Sequence, residues 1–118
     1  METLAPLALA AILGGGAETS VQLIIELPGN VERNIVHYEC EGNDPLRVEY
    51  INAAPTFLAF LSAGAGKTLF VNVISGSGAL YVSGQYEWWA KGGEATFTDL
   101  AAPEGEGTVT CLEFIQTP

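Results

Sequence analysis

Apolar side chains in this chain recur at every second position or in short runs, and Gly, Pro, Asn or Asp closes almost every run. That spacing belongs to strands, and few stretches carry a helical period. The first candidate strand is Val21 to Leu27, closed by Pro28-Gly29-Asn30. The second is Asn34 to Cys40, with Val36, Tyr38 and Cys40 on one face and His37 on the other. A turn cluster, Glu41 to Pro45, leads to Arg47 to Ile51 and then to Thr56 to Ser62. After the loop Ala63 to Gly66 come Lys67 to Ile74 and Ala79 to Val82. Ser83-Gly84 reads as a two-residue turn into Gln85 to Lys91. Glu94 to Leu100 follows, then a Pro/Gly/Glu-rich loop, then Thr108 to Phe114.

Eight or nine short strands joined by tight turns predict an all-β antiparallel sandwich or barrel. The connections are too short for parallel crossovers. A closed barrel would also remove the edge strands that invite aggregation. A chain of 118 residues suits one domain.

The N-terminus changes the picture slightly. Leu4 to Leu13 is apolar but too short to cross a bilayer as a helix. It resembles a signal-peptide core followed by small residues, although Glu2 stands where a basic residue belongs. Residues 1–17 therefore read as a signal-peptide remnant or N-terminal extension, and 18–118 as the folded domain.

A net charge of −10 disfavours nucleic acid and anionic membrane surfaces and favours a basic protein partner. The cysteines, Cys40 and Cys111, are 71 positions apart. They read either as one disulfide or as two buried thiols. A bridge would close a loop worth roughly 4 kcal/mol in chain entropy and would imply an oxidising compartment.

Motifs for chemistry are weak. Gly64-Ala65-Gly66-Lys67-Thr68 ends like a phosphate-binding loop, but Leu61 stands where the first glycine is needed and Thr68 enters a strand. His37 has no nucleophilic serine elbow to serve. One histidine and no CxxC spacing give no metal site, and no cofactor motif occurs. With fourteen acidic residues, pairs of carboxylates are coincidental. An enzyme is the least supported reading.

Two segments are more specific. Ser75-Gly76-Ser77-Gly78-Ala79-Leu80-Tyr81 resembles the SxSGx[RK]Y-type motif of the MliC/PliC family of C-type lysozyme inhibitors. Tyr86-Glu87-Trp88-Trp89-Ala90-Lys91-Gly92 is similar to that family's YxxWxKG motif at every defined position. Tyr38-Glu39-Cys40-Glu41-Gly42, Leu46 to Tyr50, Glu94-Ala95-Thr96 and Cys111 extend the resemblance over about residues 36 to 113. It implies an eight-stranded barrel with one disulfide, here Cys40–Cys111, a bacterial periplasmic or surface location, and inhibition of a C-type lysozyme; with the N-terminal reading, the location expected is the periplasm, reached through a signal peptide. In such proteins the first-motif loop enters the lysozyme cleft, and its serine and the second-motif lysine meet the catalytic carboxylates. By position these are Ser77 and Lys91, with Gly78, Leu80 and Tyr81 beside them and Tyr86, Trp89 and Gly92 in support.

Period-2 geometry predicts which side chains share a face. If the run is extended, Ser77, Ala79 and Tyr81 share one and Gly78 and Leu80 the other. Trp89 and Lys91 share a face, with Tyr86 and Trp88 opposite. The aromatics then brace the barrel and its rim, and Gly76 and Gly78 permit a tight loop. Ser75 rivals Ser77 because it faces the same way. Leu80 stands where the family usually has a cation, so it could pack on a partner or a second copy of the protein. The competing reading is a small-ligand or glycan-binding barrel, which would need the aromatics to ring an open cavity.

Overall fold

In the computed structural model, described at residues 22, 24–27, 29–42, 44–63 and 66–114, the alternating segments form a closed antiparallel barrel. Its strands are β1 (Glu32–Cys40), β2 (Leu46–Ala53), β3 (Thr56–Ala63), β4 (Gly66–Val73), β5 (Ala79–Ser83), β6 (Tyr86–Lys91), β7 (Glu94–Asp99) and β8 (Thr108–Phe114). Each pairs with its sequence neighbour, and β8 pairs with β1 to close the ring. Because direction alternates, the 54–55, 74–78 and 92–93 connections share one end of the barrel.

Three expectations need correction. The Val21–Leu27 strand does not form at its described residues, 22 and 24–27. The barrel gives the reason: β1 already pairs with β2 on one side and β8 on the other, so no edge remains for a ninth strand. The β5–β6 turn is Gly84-Gln85, not Ser83-Gly84, because Ser83 still pairs with Tyr86; Gly84 takes the left-handed conformation at φ 56°. Ser77 and Gly78 are not extended. They lie in a bend, and alternation begins only at Ala79. Residues 1–17 lie outside the described residues.

The inward faces fill the barrel. Tyr38, Val48, Tyr50, Ala59, Leu61, Phe70, Tyr81, Trp88, Ala95 and Cys111 form one buried cluster. Trp88 is wholly buried, and its ring meets Tyr38 edge-on at a centroid distance of 5.0 Å. Three polar tips in this interior satisfy one another. Trp88 Nε1 donates to Tyr50 Oη at 2.8 Å, and the Tyr38 and Tyr50 hydroxyls share a second bond of 2.8 Å. Burial pushes the hydroxyls of Tyr38, Tyr50 and Tyr81 upward in pKa, so they stay protonated. Cys40 and Cys111 face each other across the β1–β8 seam and are disulfide-bonded. His37 sits on the opposite face from Tyr38, half-buried near the Phe114 ring.

Outside the barrel, Glu49 gathers three cations. Arg33 bonds its Oε2, while Arg47 and Lys67 flank its Oε1 at 3.9 and 3.6 Å. The residue is buried despite facing outward. The Arg33 hydrogen bond, aided by the charges of Arg33, Lys67 and Arg47, holds its carboxyl below the ordinary value of 4.5 against opposing desolvation. A depressed folded pKa gives stability that is present above the ordinary value and is lost as pH falls through the folded one.

Two outcomes follow. Tyr50→Phe strands the Trp88 N–H and the Tyr38 hydroxyl and costs about 1–3 kcal/mol, read as a lower urea midpoint. Glu49→Gln lowers the urea midpoint most above pH 4.5, and the gap from the unaltered protein closes as pH falls below that value.

Candidate functional site

The loop between β4 and β5 and the end of β6 form one surface. The inward position of Trp88 turns its neighbour Trp89 outward, and Lys91, two residues on, shares that outward face. Trp89 pairs with Leu80 and Thr96 on the flanking strands, which fixes where its indole lies. Its Nε1 donates to the Ser77 carbonyl at 2.8 Å. The Lys91 ammonium sits over the same ring, 4.0 Å from its centroid. One indole therefore holds the loop by its edge and the lysine by its face, a cation–π arrangement that leaves the ammonium donors open.

The loop is stapled from within as well. The Ser75 hydroxyl lies 3.2 Å from the Ser77 carbonyl and 3.1 Å from that of Gly78. That separates the two serines. Ser75 is half-buried and spends its donor on the loop, whereas Ser77 is exposed and its Oγ bonds no described residue. Asn72 donates to the Leu80 carbonyl at 3.1 Å and ties β4 to β5 just below the loop.

Gly78 is required on two counts. Its φ is +65°, and an added Cβ would lie 2.7 Å from the Ala90 carbonyl oxygen and against the Lys91 stem. Gly76 has neither constraint: its φ is unexceptional and open space surrounds it, so the expectation that both glycines shape the loop holds for Gly78 alone. Gly92, at φ 60°, opens the β6–β7 turn directly after Lys91.

The other expected residues lie nearby in different layers. Tyr81 is only 5% exposed and packs inside the barrel against Tyr50, so it supports the loop from beneath. Tyr86 stacks on Phe97 at the inner face, with centroids 5.4 Å apart. Leu80 faces outward but is half-buried between Val73 and Trp89.

Charge singles out Lys91. The chain has four lysines and arginines, and Arg33, Arg47 and Lys67 surround Glu49. Among the described residues Lys91 has no carboxylate within ion-pair distance. The Glu49 cluster escaped the sequence reading because its members come from β1, β2 and β4 and carry no local motif. No group of three His, Cys, Asp or Glu side chains among the described residues is placed to hold a metal.

The surface can therefore present a hydroxyl from a pre-shaped loop and an ammonium from the end of β6, both anchored on the Trp89 indole. Gly78→Ala displaces that loop from Trp89. Its expected signature is a change in indole fluorescence together with a loss of about 1 kcal/mol or more in stability, since a side chain in this conformation is strained.

Comparison with known proteins identifies the family. The model of the family described as membrane-bound lysozyme-inhibitor of c-type lysozyme matches residues 38–104. A Pseudomonas aeruginosa protein named membrane-bound lysozyme inhibitor of C-type lysozyme is 36% identical, over 93% of each chain. A Cupriavidus necator protein of the same name is 41% identical over 58% of this chain and 55% of its own. The crystal structure of Pseudomonas aeruginosa MliC in complex with hen egg white lysozyme superposes with a TM-score of 0.64 at 36% identity, covering 82% of this chain and all of that one. The chain belongs to the MliC family, the membrane-bound lysozyme inhibitors of C-type lysozyme.

Proposed function

We propose that this protein inhibits a C-type lysozyme by filling its active-site cleft with the 75–81 loop and Lys91. The observation that carries the reading is the Trp89 indole, which bonds the Ser77 carbonyl and lies under the Lys91 ammonium. It supports a role for two groups held by the same indole, the loop that carries the exposed Ser77 and the one cation without a described carboxylate partner.

A retaining glycosidase presents one neutral acid and one ionised carboxylate across its cleft. Lys91, a compact cation with three donors, suits the ionised group. The Ser77 hydroxyl can donate to or accept from the other. Their occupation excludes the sugar without any bond made or broken on the inhibitor, so the protein acts as a plug and not as a catalyst. The net charge of −10 speeds encounter with a basic enzyme. The relatives' printed names and the solved complex support this choice of partner.

The barrel interior argues against a small-ligand carrier, because Tyr38, Tyr50, Phe70, Tyr81 and Trp88 occupy it. The disulfide suits an oxidising compartment, and we place the protein in the bacterial periplasm, exported by a signal peptide.

The test is a cell-wall lysis assay with a C-type lysozyme, titrated with the protein and run beside size exclusion of the mixture. The unaltered protein suppresses lysis and co-elutes with the enzyme. Lys91→Ala weakens inhibition at least tenfold, about 1.4 kcal/mol or more. Equal inhibition by that variant would remove Lys91 from the mechanism.

A further inference from the structure

The loop and Lys91 are too small to make a stable interface alone. A specific protein complex engages roughly 20–30 residues a side and about 800 Å² per partner. The residues flanking the loop must supply the rest, and the two flanks differ in chemistry. On the β6–β7 side lie Glu94, Thr96 and the Gly92-Gly93 turn. On the β4–β5 side the outward row is aliphatic: Val73 pairs with Leu80, and Val71 with Val82. Ile74 continues it and is fully exposed, with Val71 at 47% and Val73 at 36%. Ile74 is the residue directly before Ser75, so it lies within about 11 Å of Ser77 even on an extended path. No charge interrupts this shelf in a chain with a net charge of −10.

We propose that the shelf of Val71, Val73, Ile74, Leu80 and Val82 packs on the rim of the same lysozyme cleft that takes the loop, against apolar surface there. This rests on the inhibitor reading given above. A loop seated in a cleft brings its own flanks against the rim, and apolar area there gains affinity on release from water. The shelf is thus the affinity-setting part of the surface, and Ser77 and Lys91 the part aimed at the catalytic carboxylates. Leu80 contributes by packing between Val73 and Trp89 and holding the shelf continuous with the loop.

Ile74→Ser tests this without altering charge, and full exposure makes it neutral for folding. Leu100→Ser is the control, an exposed leucine beyond β7 at the opposite end of the barrel. Ile74→Ser is expected to raise the inhibition constant about tenfold, and Leu100→Ser to leave it within about twofold, the scatter expected of a surface change away from the interface. The Ile74→Ser effect should persist at about 0.5 M salt, whereas that of Lys91→Ala shrinks by screening. Inhibition by the unaltered protein with no change in Ile74→Ser overturns the shelf and leaves the inhibitor reading standing. A dimer of the unaltered protein that Ile74→Ser dissociates, with inhibition unchanged, overturns it in favour of a second copy as occupant. No inhibition by the unaltered protein overturns both readings.

Discussion

The interior position of Trp88 is the constraint on which the rest of the site depends. Its indole is wholly buried, its N–H is spent on Tyr50, and its ring is locked against Tyr38. Those contacts reach β1 and β2 from β6, across the barrel. They fix the register and the facing of β6 together. Strand alternation then leaves no choice for its neighbours. Trp89 must face outward, and Lys91 must follow it. A one-residue slip would put an ammonium in the core and an indole N–H in water. The candidate surface is in this sense the outer face of the packing inside.

Most of this architecture could be read from the sequence, for a physical reason. Alternation is a local property, so the eight strands stand out with ends displaced by no more than two residues. The pairing of Tyr86 and Trp88 against Trp89 and Lys91 follows from the same rule. What the sequence could not show is non-local. Val21 to Leu27 has the composition of a strand, and only closure of the ring by β8 removes its place. The choice between Ser75 and Ser77 depended on a bend that alternation does not describe. Gly76 and Gly78 look equivalent in sequence, yet only Gly78 lies against Lys91 and Ala90. The membership of the Glu49 cluster depended on which strands are neighbours. The placement of residues 1–17 stays an expectation from composition alone.

The distribution of charge connects stability with the proposed function. Fourteen acids and four cations would leave any cation easily captured by a carboxylate. Three of the four are gathered at Glu49, on the outer face of β1, β2 and β4. Lys91 is held instead by an aromatic face. A cation–π contact orients the ammonium at a cost in desolvation far below that of a buried ion pair. It also leaves the donors unsaturated, as an ion pair would not. A lysine meant for a partner's carboxylate gains from being positioned by a group that does not compete for its charge.

Rigidity of the loop matters for the same reason. Ordering the five-residue 74–78 loop at the moment of binding costs conformational entropy that the contact must first offset. Here Ser75, the Trp89 indole and the left-handed Gly78 fix the loop before any partner arrives. None of these three uses the Ser77 hydroxyl or the Lys91 donors. The groups that shape the loop are thus separate from the groups that would bind. Such a division lets the outward-facing residues change, as at Leu80, without loss of the loop's form. Under the proposed function, this division would let selectivity change on the apolar flank while the hydroxyl and the ammonium stay where the barrel puts them.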